Sequence, residues 1–415
     1  MTVTFISNYI NHHQIPFSNA CYELLGEDYH FIQTKPMEQE RLLMGWSREG
    51  EKLPYVSFLY EDEEYCRKLI MESDVLLAGW SEREDLVQQR LNAGKLTIRV
   101  SERLYREGQW KAISPKGLLH KYREHTRYRK KPVYLLCAGA YVPSDFHLIH
   151  AYPGKMFKWG YFPEVRYYEE EQLKCMKSGD GQIHIVWAGR FIPLKHPEYM
   201  LRLAKSLKEG SHKPSPDRKH RPVRFHIHMV GNGEMEPELK ALAREYGVED
   251  EITFYGFKTP DEVRAIMEKS HIHVFTSNHL EGWGAVVNEA MNSGCAVVAN
   301  VQAGAVPYLI QHKKNGLVYP DGSYEKMEEA VRYLAENPKE REQMGREAYQ
   351  TIVGLWNAPH AAKELIRMIE ALKEGRISPA GEGPLSPAPV VAPKKMYQWM
   401  LKDADNTRTR KGMRG

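Results

Sequence analysis

Residues 279–300, HLEGWGAVVNEAMNSGCAVVAN, contain a Gly-Trp-Gly turn with a carboxylate on either side of it. An apolar run, HIHVFTS (271–277), comes before the turn. A helical pattern, AVVNEAMNSG, and a second apolar run, CAVVAN (295–300), follow it. Strand, loop, helix and strand in this order are typical of a parallel α/β sheet.

The loop at 278–284 is predicted to contact a ligand, because ligands of open parallel sheets bind outside the carboxyl ends of the strands. Gly282 and Gly284 let backbone amides approach a bound group, and the helix that follows favours an anion such as phosphate. Glu281 can accept hydrogen bonds from sugar hydroxyls, while Glu289 points back toward the same ligand. The alternative is a helix-capping Glu281 and a solvated Glu289.

The same alternation of short apolar and longer amphipathic runs extends along the chain. Predicted strands are 3–7, 55–59, 74–80, 95–100, 132–139, 183–189, 224–231, 251–256, 271–277 and 295–300. Predicted helices of the second half are 196–208, 235–246, 260–269, 284–293, 324–336 and 338–374. We expect two Rossmann-like domains, residues 1–165 and 166–374, and then a flexible Pro-rich basic tail over 375–415.

Length and composition agree with a two-domain globular protein. The chain has 415 residues, of which 42% are hydrophobic and 27% charged, so two cores can form. A net charge of +4 is too mild to indicate nucleic acid. The five cysteines lack CxxC spacing, which favours a reducing cytoplasm, and no apolar run approaches the length of a membrane span.

A second group of polar residues follows the strand pattern at 183–189. In WAGRFIPLKHPEYML (187–201), Gly189 and Arg190 end the strand, and Lys195 precedes a new helix. A guanidinium and an ammonium at this edge suit a diphosphate whose charge grows as it leaves. The alternative is that both are surface charges.

Four motifs in order, GR…K (189–195), GNGE (231–234), YGF (255–257) and E-x7-E (281–289), resemble retaining glycosyltransferases of family 4. The resemblance implies a GT-B fold, in which two parallel sheets face each other across a cleft and the last helices cross back to the N-terminal domain. It also implies catalytic roles for three residues: Arg190 and Lys195 would hold the donor diphosphate, and Glu281 the donor sugar. The implied donor-binding residues are Gly189, Gly231, Gly256, Phe257, Lys258, Gly282, Trp283, Gly284, Ala285 and Glu289.

The family transfers sugar from a nucleotide diphosphate with retention, without a metal and without a cofactor. The resemblance therefore implies a nucleotide sugar as co-substrate, whose base can be uridine, guanosine or adenosine. His226/His228 and His271/His273 alternate along strands and could chelate a metal, but plain strand histidines are the favoured interpretation.

The N-terminal half departs from the family pattern at two loops. Where the family commonly has a histidine after the strand predicted at 95–100, this chain has SERLY (101–105). Its first loop is SNYINHHQ (7–14) instead of a Gly-Gly turn. We predict His13 and Glu102 as substrate contacts from this domain. The alternative for His13 is that it is an ordinary polar residue before the start of a helix.

Residues 106–132 are rich in Lys and Arg with interleaved apolar side chains, which suits an anionic membrane surface or a solvated helix. The resemblance and this segment together predict a cytoplasmic hexosyltransferase, peripheral on the inner face of the cytoplasmic membrane. Its acceptor would be a saccharide or lipid-linked saccharide in cell-surface polysaccharide or glycan biosynthesis, not nucleic acid. Alternatives are a non-catalytic nucleotide-sugar-binding subunit and a GT-B nucleotide-sugar epimerase.

Overall fold

A computed structural model describes residues 1–39, 48–177, 179–210, 223–402 and 404. The chain divides into two compact units. The first comprises Met1–Glu164 with Leu355–Ala392, and the second comprises Val165–Gly354 with the residues from Pro393 onward. Each unit has its own parallel sheet and its own apolar core.

The first unit is built on a seven-stranded sheet in the order β3-β2-β1-β4-β5-β6-β7, with every pair parallel. Its strands are β1 Val3–Ser7, β2 Tyr29–Gln33, β3 Val56–Phe58, β4 Val75–Ala78, β5 Thr97–Ser101, β6 Val133–Ala138 and β7 Met156–Trp159. Its helices are Ile15–Leu25, Glu63–Glu72, Glu84–Asn92, Pro115–Glu124, Val142–Leu148 and Ala358–Lys373. The strand order reverses between β1 and β4, so the loops after these two strands flank the crevice where such sheets bind ligands.

The second unit is built on a six-stranded parallel sheet in the order β10-β9-β8-β11-β12-β13. Its strands are β8 Ile183–Ala188, β9 Phe225–Val230, β10 Ile252–Phe254, β11 Ile272–Phe275, β12 Ala296–Asn300 and β13 Leu317–Tyr319. Its helices are Glu170–Cys175, Glu198–Glu209, Glu236–Tyr246, Pro260–Lys269, Val286–Asn292, Val306–Leu309, Tyr324–Glu336 and Pro338–Gly354. Here the order reverses between β8 and β11, which places the crevice between the loops that follow them.

The predicted α/β class with two parallel sheets is confirmed, and each predicted strand is present. Three strands, β2, β7 and β13, were not predicted, because runs of three to five residues are too short for a period to be recognised. The helix predicted over 338–374 is two helices. The chain breaks at Asn357, whose side chain accepts a hydrogen bond from the His360 amide and caps the second helix.

Part of the segment predicted as a flexible tail is packed on the first unit, so the prediction is wrong for these residues. The Lys158 amide donates to the Ser386 carbonyl (2.8 Å), and the Leu385 amide donates to the Lys158 carbonyl (2.9 Å). Leu385 is fully buried. The physical reason is that β7 is an edge strand whose backbone groups need partners, which the sequence pattern of the tail does not reveal. Residues 403 and 405–415 lie outside the described part.

We expect Leu385→Ala to lower the free energy of unfolding of the first unit by about 2–4 kcal/mol, because it leaves a cavity under the packed segment. Thermal unfolding measures the effect, and limited proteolysis should cut near residue 385 faster. Val390→Ala is the matched control, since Val390 is 46% exposed in the same segment. Equal stability of the two variants would contradict the packing described here.

Candidate functional site

A pocket of about 290 Å³ lies at the carboxyl edge of the second sheet, beside the reversal between β8 and β11. The residues around it come from the ends of β8 and β9, from the loops that follow β8, β9, β10 and β11, and from the first turns of two helices. They are Ala188, Gly189, Arg190, Lys195, Val230, Gly231, Asn232, Phe257, Lys258, Val263, Glu281, Gly284, Ala285 and Val286.

Most of the predicted site residues meet in this pocket. Those that line it are Gly189, Arg190, Lys195, Gly231, Phe257, Lys258, Glu281, Gly284 and Ala285. Gly256, Gly282, Trp283 and Glu289 do not line it, and His13 and Glu102 belong to the first unit. The sequence analysis did not predict Ala188, Val230, Asn232, Val263 and Val286. Asn232 could have been found from its place between two loop glycines, but Val263 gives no signal beyond an ordinary helix position.

Gly231 holds three of the pocket loops together. Its amide donates to the Gly256 carbonyl (2.9 Å), and the Gly189 amide donates to the Val230 carbonyl (2.9 Å). Gly231 has a φ of 128°, and a Cβ at this position would lie 1.9 Å from the Gly189 carbonyl oxygen. The backbones therefore approach so closely that only glycine fits. Gly256 acts through this contact and not as part of the pocket wall.

An ion pair joins the loops after β8 and β11. Lys195 Nζ lies 2.7 Å from Glu281 Oε2, and the two side chains are only 16% and 18% exposed. The Asn278 amide donates to the Leu194 carbonyl (2.9 Å), and the Thr276 hydroxyl donates to the Lys195 carbonyl. Because these bonds fix both backbones, the ammonium and the carboxylate meet at a defined place in the pocket.

The Trp283 side chain is buried and ties the Gly-Trp-Gly turn to the helix that follows it. Its indole is 1% exposed, and Nε1–H donates to Asn288 Oδ1 (2.9 Å). Gly284, with a φ of 92°, passes the Phe275 ring at a distance that leaves no room for a side chain. The indole is therefore a core group, and the backbone at Gly284 and Ala285 is what faces the pocket.

The second carboxylate of the motif has different surroundings from the first. Glu289 is half-buried, and burial raises its pKa to about 7, although the charges of Arg264 and Arg166 act in the opposite direction. The Arg264 guanidinium donates to Asn292 Oδ1 (2.6 Å), and Asn292 is on the same helix as Glu289. Asn292 also accepts from the Arg166 amide (2.8 Å), so this network begins beside Glu289 and ends at the segment that opens the second unit.

Three further pocket residues lie at its rim. Arg190 is exposed and forms no ion pair with any other described residue. Phe257 is 56% exposed. Lys258 Nζ lies 2.9 Å from Glu262 Oε1, one turn along the next helix. The rim thus offers a cation and an aromatic ring to a ligand that enters the pocket.

The two residues predicted in the first unit are connected by a third that was not predicted. The His13 ring stacks on Tyr161 with centroids 5.6 Å apart, and the Tyr161 hydroxyl donates to Glu102 Oε1 (2.5 Å). Burial lowers the pKa of His13 to about 3, so its ring is neutral at physiological pH. Tyr161 follows β7, a strand that the sequence analysis did not find, which explains why the contact was missed.

Of the histidines with alternate spacing, His226, His228 and His271 make hydrogen bonds within the second sheet, whereas both ring nitrogens of His273 are buried without a partner among the described residues. His228 Nε2 lies 2.8 Å from His184 Nδ1, and His226 Nε2 lies 2.8 Å from Thr253 Oγ1. Over the described ranges, no group of three or more His, Cys, Asp or Glu side chains is placed to hold a metal ion. Within the part of the chain that the structure describes, no helix is long and apolar enough to cross a membrane.

The residues around the pocket lie in a part of the chain that is similar to known proteins. Residues 169–351 match the family model for glycosyl transferases group 1. An uncharacterized glycosyltransferase of Haemophilus influenzae is 31% identical over 155 residues, which are 37% of this chain and 40% of that protein. The putative colanic acid biosynthesis glycosyltransferase WcaL of Escherichia coli is 30% identical over 108 residues, 25% of this chain and 26% of that one. The chain thus matches well under half the length of these relatives.

Solved structures match almost the whole chain. The lipopolysaccharide outer core galactosyltransferase WaaB, apo form, has a TM-score of 0.64 at 13% identity, covering 90% of this chain and 100% of that one. Anabaena Alr3699/HepE in complex with UDP has a TM-score of 0.62 at 13% identity, covering 89% and 100%. At this level of identity the likeness shows the fold, which is the GT-B type of α/β fold.

Gly231→Ala is expected to destabilise the second unit by several kcal/mol, because its Cβ would overlap the Gly189 carbonyl. Gly247→Ala is the matched control: Gly247 also has a positive φ, of 62°, but nothing within 4 Å of a new Cβ. That variant should lose only about 1 kcal/mol from backbone strain. Thermal unfolding distinguishes the two, and equal losses would contradict the close approach.

Stability should depend on pH through Glu289. Its pKa is raised from 4.5 to about 7 in the folded protein, so the folded state holds the proton more tightly than the unfolded chain. The resulting stabilisation is fully present below pH 4.5 and is lost as the pH rises through 7, with a full effect of at most roughly 3 kcal/mol. Unfolding of the wild type and Glu289→Gln at pH 5 and pH 8 measures it. Only the wild type should show this part of the pH dependence; parallel curves would contradict the assignment.

Proposed function

We propose that the protein is a retaining glycosyltransferase that moves a sugar from a nucleotide diphosphate to a saccharide or lipid-linked saccharide in cell-surface polysaccharide or glycan biosynthesis. The observation that carries the proposal is the pocket with Arg190, Lys195 and Glu281, within the segment that matches the glycosyl transferases group 1 model. Two relatives support the substrate class by the activities for which they are named. One is the colanic acid enzyme above, and the other is a GDP-mannose-dependent mannosyltransferase of Mycobacterium tuberculosis, 29% identical over 143 residues, 33% of this chain and 37% of that one.

The cations of the pocket suit a diphosphate leaving group. Arg190 offers a guanidinium at the rim, and Lys195 offers an ammonium inside, where it is paired with Glu281. Negative charge grows on the diphosphate as its bond to the anomeric carbon breaks. Positive groups held in a partly buried pocket stabilise that charge more than they would in water. We assign this role to Arg190 and Lys195, so that the reaction needs neither a metal nor a cofactor.

Glu281 suits the donor sugar. Its pairing with Lys195 favours the anionic form, which accepts hydrogen bonds from sugar hydroxyls. The pocket backbone at Gly284 and Ala285 faces the same space. Glu289, outside the pocket wall, is proposed to reach the ribose in its ionised form, and the exposed ring of Phe257 with Lys258 is proposed to flank the base.

The proposed chemistry keeps the configuration at the anomeric carbon. The bond from that carbon to the phosphate oxygen breaks, and a bond to the acceptor hydroxyl oxygen forms on the same face. The acceptor proton goes to the departing phosphate oxygen, so the enzyme needs no general base and forms no covalent intermediate. Its contribution is to stabilise charge and to hold the two reactants in position.

Arg190→Ala and Lys195→Ala should each lower kcat/KM for transfer by about 10²–10³-fold, because each removes one positive charge from the leaving group. Glu281→Gln should lower it at least about tenfold through lost sugar contacts and an unpaired Lys195. Release of nucleoside diphosphate from UDP-, GDP- and ADP-sugars in the presence of lipid-linked saccharide extract measures transfer. Lys240→Ala is the control, since Lys240 lies outside the pocket lining and pairs with Glu236 one turn earlier on its own helix.

Intact turnover in the Arg190 and Glu281 variants would refute the site. A thermal shift with UDP, GDP or ADP identifies the base, because a ligand of the folded state raises its stability. A nucleotide-dependent shift without any transfer or donor hydrolysis would favour a non-catalytic nucleotide-sugar-binding subunit.

We also propose that the protein rests on the inner face of the cytoplasmic membrane through the helix Pro115–Glu124 and the turn Gln109–Ile113 before it. No residue of this helix is buried. Exposed apolar or aromatic side chains in the two segments are Trp110 (67%), Ile113 (80%), Leu118 (40%), Leu119 (50%) and Tyr122 (53%). Lys111, Lys116, Lys121 and Arg123 lie among them. Lys111 and Lys121 pair with Glu107 and Glu124. Exposed apolar side chains interspersed with cations match the interface of an anionic bilayer.

Ile113→Asp with Leu119→Asp should abolish co-sedimentation with vesicles of phosphatidylcholine and phosphatidylglycerol, because it places carboxylates in the apolar interface. Binding of the wild type should fall at high salt and with pure phosphatidylcholine. Leu24→Asp, at a side chain 45% exposed elsewhere on the first unit, is the control and should bind normally. Wild-type protein that stays in the supernatant would refute the contact.

A further inference from the structure

We propose that Trp80, at the carboxyl end of β4, is a platform on which a sugar ring of the acceptor saccharide stacks. The proposal rests on the proposed function, since it names a binding site for the second substrate. It adds a residue and a ligand chemistry that the sequence motifs do not contain.

The position of Trp80 in the first sheet is the first argument. The strand order reverses between β1 and β4, and Trp80 lies in the loop directly after β4. The Asn8 amide, directly after β1, donates to the Trp80 carbonyl (2.8 Å). Because ligands of parallel sheets bind at such a reversal, Trp80 stands where a ligand of this unit is expected.

The exposure of the indole is the second argument. Trp80 is 65% exposed, similar to Trp110 of the proposed membrane surface (67%), whereas Trp159, Trp187, Trp283 and Trp356 are each at most 5% exposed. An exposed indole forgoes the burial that stabilises a fold, so its place at a ligand-binding edge favours a role in recognition. Lys35 Nζ lies over the ring at 5.4 Å from its centroid, which orients the ring and leaves most of the side chain open.

The polar groups along the same edge indicate the class of ligand. Gln14 Nε2 donates to Ser7 Oγ (3.3 Å), whose hydroxyl in turn points to the Trp80 carbonyl (3.4 Å). Tyr161 and Glu102 follow β7 and β5 at the same edge, joined by their 2.5 Å hydrogen bond. An amide, a carboxylate and a phenol can exchange hydrogen bonds with hydroxyls, while the indole face takes the apolar C–H face of a pyranose.

The charges along this edge favour a neutral ligand. Lys35 is paired with the Glu38 carboxylate (2.5 Å), and Glu102 with Arg106. Both cations are therefore neutralised locally, in contrast to the exposed Arg190 of the second unit. A nucleotide could also stack on an indole, but the two described cations named here, Lys35 and Arg106, are already paired with carboxylates of this chain. The ligand class is a neutral saccharide ring.

The test is a glycan array of neutral and N-acetylated oligosaccharides probed with the full chain. The wild type should retain one group of saccharides, and Trp80→Ala should weaken that retention at least tenfold. Trp80→Phe, which keeps an aromatic face, should stay within about threefold of the wild type. Tyr333→Ala is the control, because Tyr333 is an exposed aromatic residue of the second unit, at 41% exposure.

Absence of retention by the wild type, or equal retention by Trp80→Ala, would overturn the platform. A loss with Tyr333→Ala as large as that with Trp80→Ala would also overturn it. A thermal shift of wild-type and Trp80→Ala protein with UDP, GDP and ADP reports on the pocket of the second unit, because the shift should be the same in both proteins. A missing nucleotide shift would refute the proposed function, whereas a missing saccharide signal beside a normal nucleotide shift would refute only the platform.

Discussion

Parallel pairing of strands is the constraint on which both units depend. Because neighbouring strands run in the same direction, all their carboxyl ends lie at one edge, and each loop after a strand opens at that edge. The reversal of strand order then separates two adjacent loops and leaves a crevice. In the second unit this brings Lys195 and Glu281, far apart in the chain, to 2.7 Å. In the first unit it brings Asn8 and Trp80 together.

The two edges differ in chemistry. That of the second unit has an exposed arginine, a lysine within the pocket and an aromatic ring at the rim, which together suit a nucleotide diphosphate. That of the first unit has a large open indole and cations that carboxylates already neutralise. The same topology therefore places an exposed cation at the edge of one sheet and an open indole at the edge of the other, and the loop residues make the difference.

The two carboxylates of the E-x7-E motif have different surroundings, and these surroundings act on their charged forms differently. Glu281 faces a lysine ammonium in the pocket, which favours its charged form. Glu289 is half-buried beside two arginines, and burial raises its pKa to about 7. Through Arg264 and Asn292 its helix is also tied to Arg166, near the start of the second unit. A ligand that favours ionised Glu289 would thus act on a network wider than the pocket.

The sequence by itself determined the class of fold and most of the loops around the pocket of the second unit, because apolar runs, glycines and charged residues at strand ends are local features. It did not determine β2, β7 and β13, whose few residues carry no clear period, nor the packing of Leu385, which depends on the free edge of β7. Only the tertiary structure decided that Trp283 is core while Trp80 is exposed, since burial depends on which elements cover a side chain. For the same reason it alone placed Glu281 in the pocket wall and Glu289 outside it.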